Sequence, residues 1–212
     1  KPLYYFKSEQ ELIFGSELKA INQIKKKNKI NYKSLCAYLH LGYIPSNYTI
    51  YENIFKLNSG SYIEYSKDKL IEKSYWNLNS KIHLNTFNDF NSSKANLKSL
   101  IKNSVKNRMI SDVPIGTFIS GGTDSSLISA VAQEINPNPI NTFSIGFPDE
   151  PIFDESKYAE KVANHIGSKH HCFNVTNKEL YQNLEDILDY IDEPMADSSA
   201  INVYILAKET KQ

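Results

Sequence analysis

The sequence predicts an α/β protein in which a parallel sheet with flanking helices is preceded by an α+β part with a mainly antiparallel sheet. Three observations predict it. In the second part, apolar strand-like runs alternate with stretches of helical periodicity, the pattern of βαβ units. In the first part, short β-rich runs follow one another with turn residues between them. A polar stretch, "NLNSKIHLNTFNDFNSS", separates the two and marks a shift in composition.

Within residues 1–76, "PLYYF" and "ELIFGS" read as strands, "SELKAI" as a turn of helix, and "YKSLCAYLHLG" as a helix closed by Gly42. "YTIYENIFKL", "GSYIEYS" and "LIEKSYW" read as further strands, punctuated by Asn58-Ser59-Gly60 and Lys67-Asp68. Residues 77–92 read as a linker. Residues 93–212 read as a second domain: helix 93–108, strand 113–119, helix 124–135, strand 140–146, helix 154–166, strand 169–175, helix 177–190 and a helix from 198 on. No internal repeat is visible.

The chain has 212 residues, 41% of them apolar, enough to build real cores. Lys+Arg and Asp+Glu number 24 each, so no global basic field exists to hold nucleic acid or an anionic membrane. Cys36 and Cys172 are too few for a disulfide framework or a thiolate zinc site, and the expectation is a reduced, cytosolic chain. No apolar stretch approaches the roughly 20 residues that span a bilayer, and the start does not read as a secretory signal. Both ends look abrupt, and a fragment of a longer protein is expected.

"SGGTDSS", residues 120–126, lies between an apolar run and a helical pattern. Two glycines at the carboxyl end of a parallel strand leave no Cβ in the way, so backbone N–H groups can close around a tetrahedral anion. Asp124, Ser125 and Ser126 then open a helix whose first N–H groups are free and whose dipole end is positive. An aspartate beside phosphates makes sense as a Mg²⁺ ligand. No lysine follows, so this is not the loop of a γ-phosphate transfer machine.

The loop resembles the SGGxDSS loop of the ATP pyrophosphatase (PP-loop) enzymes, of adenine nucleotide α-hydrolase-like fold, which cleave ATP between the α- and β-phosphates. Its surroundings, "TFSIGFPDE", "FDESKYAEKVANHIGSKHH" and "DEPMADSSAINVYILAK", resemble the synthetase domain of glutamine-hydrolysing asparagine synthetases in order and spacing. Residues 1–76 resemble the closing part of that family's N-terminal-nucleophile glutaminase (type 2 amidotransferase) domain, and 93–212 the first part of its ATP-binding domain. Essentially the whole chain is covered.

The resemblance implies a ligase that adenylates the side-chain carboxylate of L-aspartate with ATP and Mg²⁺ and amidates it with ammonia from L-glutamine. By matching position, Ser120, Gly121, Gly122, Asp124, Ser125 and Ser126 would bind pyrophosphate, with Asp124 on the metal. Ile119 and Ile145 match positions lining the adenine, and Gly146 leaves room for close approach. Asp192, Glu193, Asp197 and Ser198 match the stretch bordering the substrate pocket; the alternative is a solvated acidic face with a helix cap. Asp154, Glu155 and Tyr158 open a helix, where carboxylates are favoured regardless of function.

His170 and His171, neighbours in a strand, point to opposite faces and cannot chelate one ion together; Cys172 stands where the family has Glu. No catalytic residue is assigned, because the nucleophilic cysteine would lie upstream and a second acidic Gly-rich loop downstream of Gln212. This chain alone is expected to be inactive. The resemblance allows a homodimer and implies neither a nucleic-acid nor a membrane partner. Relatives of this architecture amidate other carboxylates, such as uronic-acid sugars of surface polysaccharides, and a catalytically silent scaffold also stays open. A tRNA-modifying PP-loop reading would need a basic surface and cysteines near the loop, which the sequence does not offer.

Overall fold

The computed structural model describes residues 2–66, 69–82 and 89–211. The turn expected at Lys67-Asp68 and residues 83–88 of the linker lie outside the described residues. The chain divides into two compact units, Lys1–Thr86 with Leu188–Ser198, and Phe87–Ile187 with Ser199–Gln212.

In the first unit, β1 (Tyr4–Lys7) is the centre of an antiparallel sheet, paired on one side with β2 (Leu12–Gly15) and on the other with β3 (Ile54–Lys56). Helices α1 (Leu18–Ile24) and α2 (Tyr32–Leu41) accompany it. Tyr4, Leu18, Ile21, Ile44, Ile50 and Ile54 form the core. Helix α2 starts where Asn31 accepts from the N–H groups of Lys33 and Ser34, and ends at Gly42 in the left-handed region (φ 78°). A separate antiparallel hairpin joins β4 (Ser61–Ser66) to β5 (Lys69–Ser74), and α3 (Asn79–Ile82) is a single turn.

The strand expected over 48–57 is shorter than its β-rich composition suggests. The buried Thr49 hydroxyl donates to the Ile54 carbonyl at 2.8 Å and accepts from Tyr51 N at 3.1 Å, folding the segment into a loop with Asn53 at φ 63°. Ladder pairing survives only over β3.

Residues 188–198 belong to this unit although their sequence neighbours do not. Asp192 holds them: its two carboxylate oxygens accept from Leu18 N at 2.8 Å and Lys19 N at 3.2 Å, at the start of α1. Glu17, the residue at that helix's N-cap, makes no side-chain capping bond. Glu193 Oε2 meets Lys56 Nζ at 2.6 Å, the same ammonium donates to the Ile44 carbonyl, and Ala196 N donates to the Gly42 carbonyl. Burial, followed by the charges of Glu193 and Asp192, raises the pKa of Tyr4 well above the ordinary tyrosine value.

In the second unit β6 (Gly116–Phe118), β7 (Asn141–Gly146) and β8 (Lys169–Asn174) form a parallel sheet in that order, flanked by helices. Helix α4 (Phe90–Arg108) starts three residues before the expected 93, because Asp89 accepts from Ser92 N and caps it. Strand β6 is shorter than the expected 113–119, and Pro114 just before it has no N–H to give a ladder. Helix α5 (Thr123–Ile135) crosses from β6 to β7, and α6 (Ser156–Ile166) from β7 to β8. Val105, Val131, Ala132 and Ile140 form the core between α4, α5 and the sheet.

The helix expected over 177–190 is two: α7 (Asn177–Gln182) and α8 (Leu184–Tyr190). Asn183 ends the first, its side-chain amide donating to the Glu179 carbonyl at 2.8 Å. Helix α7 carries a capping box, Thr176 with Glu179. The last element, α9 (Ser199–Thr210), packs against β7.

Candidate functional site

The turn from β6 into α5 is built by its own serines. Ser125 Oγ donates to the Gly122 carbonyl and accepts from Ser120 N at 3.2 Å, and the Ser120 hydroxyl accepts from Gly122 N at 3.3 Å while lying 3.0 Å from Ser125 Oγ. These bonds fix the loop without any ligand. Gly121 sits at φ 82°, and a Cβ there would come within 2.4 Å of the Tyr158 side chain and 2.9 Å of Ala159 N on α6. Gly122 is the N-cap of α5, so the N–H groups of Thr123, Asp124 and Ser125 have no acceptor within the helix.

Ser126 gives the clearest signal. Its hydroxyl is buried and has no hydrogen-bond partner among the described residues. A buried hydroxyl left unpaired is costly, and one in the first turn of a helix, next to free N–H groups, is a socket for anionic oxygen. Asp124 is exposed in the same turn. An exposed carboxylate among donors for phosphate is a fitting donor set for Mg²⁺, which prefers one or two carboxylates together with phosphate oxygens and water.

Beside the loop opens a cleft of ≈ 270 Å³. Ile119, Ser120 and Ser125 line it from the loop, and Ser144, Ile145 and Phe147 from the end of β7. Phe153, Glu155 and Ala159 contribute around the start of α6, and Asn202, Val203 and Leu206 from α9. A mostly apolar slot next to an anion socket, at the carboxyl ends of parallel strands, suits a planar base with phosphates attached.

Of the residues singled out in the sequence, Ile119, Ser120, Ser125, Ile145 and Glu155 line this cleft, and Gly121, Gly122, Asp124 and Ser126 lie in the adjoining turn. Gly146 does not line it; its missing Cβ makes room for the Asn174 side-chain oxygen, which a Cβ would meet at 2.5 Å. Asp192 and Glu193 make the contacts described above within the first unit, and Asp197 and Ser198, both exposed, belong to that unit as well.

Asp154 accepts from Ser156 N at 2.9 Å and so opens α6; hydrogen bonds from Ser156 hold its carboxyl below the ordinary range. His170 and His171 have separate partners: the first meets Thr142 and Ser144, the second meets Asn141 and stacks on Phe143. Among the described residues no group of three or more His, Cys, Asp or Glu is placed to hold a metal ion, and no helix is long and apolar enough to cross a membrane.

Sequence reasoning missed Ser144, Phe147, Phe153 and the α9 face. The spacing of Asn202, Val203 and Leu206 puts them on one side of a helix, but nothing in that spacing says which cleft the side covers.

A family model described as asparagine synthase matches residues 96–212, and one described as glutamine amidotransferase domain matches residues 1–76. Asparagine synthetase (glutamine-hydrolyzing) 1 of Bacillus subtilis is 33% identical over 100% of this chain, and asparagine synthetase (glutamine-hydrolyzing) 3 of the same organism 32% identical over 93%. A Methanocaldococcus jannaschii protein, provisionally named asparagine synthetase (glutamine-hydrolyzing) 2, is 34% identical over 100% of the chain. The chain spans 33%, 34% and 41% of the length of these three relatives, respectively.

Proposed function

The chain belongs to the asparagine synthase family, and on that premise we propose that the protein it forms part of is a glutamine-dependent ligase making asparagine from aspartate and ATP. The reading rests on one observation above all: the buried Ser126 hydroxyl, without a hydrogen-bond partner among the described residues, in a helix turn that adjoins an apolar cleft. Ile119 and Ile145 would bracket the adenine, and the turn from Ser120 to Ser126 would hold the β- and γ-phosphates that leave as pyrophosphate. Asp124 is the proposed Mg²⁺ ligand. When bound, the ion would neutralise charge on the departing pyrophosphate.

The chemistry proposed is two displacements. A carboxylate oxygen of aspartate attacks the α-phosphorus, and the α–β bridging bond breaks with its electron pair leaving on pyrophosphate. Ammonia then attacks the activated carbonyl carbon, loses a proton, and AMP departs with the electrons of the C–O bond. This chain's part is to orient: the free N–H groups of α5 meet the charge that develops on the leaving group, in a turn already fixed by Ser120 and Ser125.

The same proposal takes residues 1–76 as the end of a glutaminase domain, 77–92 as a linker and 93–212 as the start of the synthetase domain; the two family matches support that division. Asp197 and Ser198 remain substrate-side candidates, as does Glu193, whose Oε2 pairs with Lys56 while its buried Oε1 has no hydrogen-bond partner among the described residues; Asp192 caps α1. Two exposed free cysteines, Cys36 and Cys172, support placement in a reducing compartment such as the cytoplasm. A homodimer is the proposed assembly, without a nucleic-acid or membrane partner.

The test uses the full-length protein with aspartate, glutamine and Mg-ATP. AMP and pyrophosphate should appear in equal amounts with asparagine; ADP and phosphate would refute adenylation. Asp124→Ala should abolish pyrophosphate release.

A further inference from the structure

Strand β7 carries Thr142 and Ser144 on one face, 0% and 3% exposed, and β8 sets His170 directly across from Thr142. A continuous chain of polar contacts joins them. Ser168 Oγ lies 3.3 Å from the Ala163 carbonyl oxygen and 2.9 Å from Thr142 Oγ1. Thr142 Oγ1 lies 3.0 Å from His170 Nδ1, and His170 Nε2 lies 3.2 Å from Ser144 Oγ. Ser144 also lines the nucleotide cleft.

The chain has a direction. A carbonyl only accepts, so Ser168 uses its single proton on Ala163. Thr142 then donates to Ser168, and the Nδ1–H of His170 donates to Thr142. In a neutral imidazole that leaves Nε2 as an acceptor, and the Ser144 proton goes to it. Running the chain the other way would forfeit the bond to Ala163. Burial, the largest influence, lowers the pKa of His170 below its ordinary 6.5, with Glu160 pulling the other way, so the ring is neutral at pH 7.

We propose that Ser144 is a specificity-determining residue of the cleft: with its proton committed to His170, its hydroxyl can only accept, and it takes a hydrogen bond from a donor on the nucleoside. His170 is the positioning residue that fixes this polarity. The donor is an N–H or O–H group, either the exocyclic amino group of the base or a ribose hydroxyl. A ligand offering a carbonyl at that point would face lone pair against lone pair and leave a buried acceptor unmatched. The inference rests on the nucleotide reading of the cleft.

Calorimetric titration of the full-length protein with the Mg²⁺ complexes of ATP, ITP, 2′-deoxy-ATP and 3′-deoxy-ATP tests it. The wild type should bind one analogue roughly ten-fold more weakly than ATP, the cost of one mismatched hydrogen bond. ITP being the weak one assigns the donor to the base, and a deoxy analogue assigns it to the ribose. Ser144→Ala should erase that penalty by weakening ATP binding to the level of the analogue. If ITP is the weak analogue, His170→Phe should shrink the penalty too, because the Ser144 hydroxyl regains a proton to donate to the inosine carbonyl; a deoxy penalty, a donor lost with no acceptor in its place, should stay in that variant. A change confined to this ratio is not what a purely structural defect produces.

Thermal melts identify which variant is folded; Ser144→Ala decides either assignment, and His170→Phe decides the base assignment. Equal binding of all four nucleotides by the wild type, a penalty that persists in folded Ser144→Ala, or an ITP penalty that persists in folded His170→Phe overturns the proposal and leaves the nucleotide reading standing. A wild type that binds none of them overturns both.

Discussion

At Ser126 the proposed ligand binding and folding can be told apart at the level of a single hydroxyl. Because its oxygen has no partner among the described residues, Ser126→Ala removes a cost and not a bond. The variant's melting temperature without ligand is expected to equal or exceed that of the wild type, while its affinity for Mg-pyrophosphate falls roughly ten-fold. A melt that drops by several degrees would show that the hydroxyl serves the fold. His170 makes the matching pH argument. Its folded pKa is lowered, chiefly by burial, so below the ordinary 6.5 the unfolded chain takes up a proton that the folded ring resists. Stability should therefore decline as pH falls from 6.5 toward the folded value and level off beneath it. In urea titrations across that range, His170→Phe should flatten the decline.

At the scale of elements, two helices show how starts and stops are decided. Helix α2 is capped from within its own sequence by Asn31 and stopped by Gly42, and both signals stand next to the helix they control. Helix α1 is capped by Asp192, from 174 positions away in sequence. Asp192→Ala should cost about 1 kcal/mol, the usual worth of a cap with a carboxylate at the positive end of the dipole. The loss should appear as faster amide exchange at Leu18 and Lys19, while Asn31→Ala should loosen Lys33 and Ser34 instead. Equal protection of Leu18 in both variants would contradict the capping role. The turn before α5 follows the local rule again: Gly121 is needed both for its positive φ and for the space that Tyr158 and Ala159 take up.

On the scale of the whole molecule, each unit has a core of its own, one around Leu18, Ile21 and Ile54, the other around Val131, Ala132 and Ile140. Multi-unit chains of this kind depart from two-state unfolding. Calorimetry of the full-length protein should resolve a transition lowered by Ile21→Ala and another lowered by Val131→Ala, each core truncation costing on the order of 2–4 kcal/mol. Mg-pyrophosphate should raise the second transition and leave the first in place. A ligand shift of the first alone would mean that the anion socket lies elsewhere. The order of strands and helices, the Gly-Gly turn into α5 and the places of Ile119 and Ile145 beside it were legible in the sequence, because backbone geometry and helix starts are set by residues a few positions apart. Ser144, Phe153, Asn202 and the true partners of Asp192 and Glu193 were not, and neither was the break at Asn183. Those depend on which surfaces meet across tens to hundreds of residues, and a side chain's sequence neighbours carry no record of what folding brings to it.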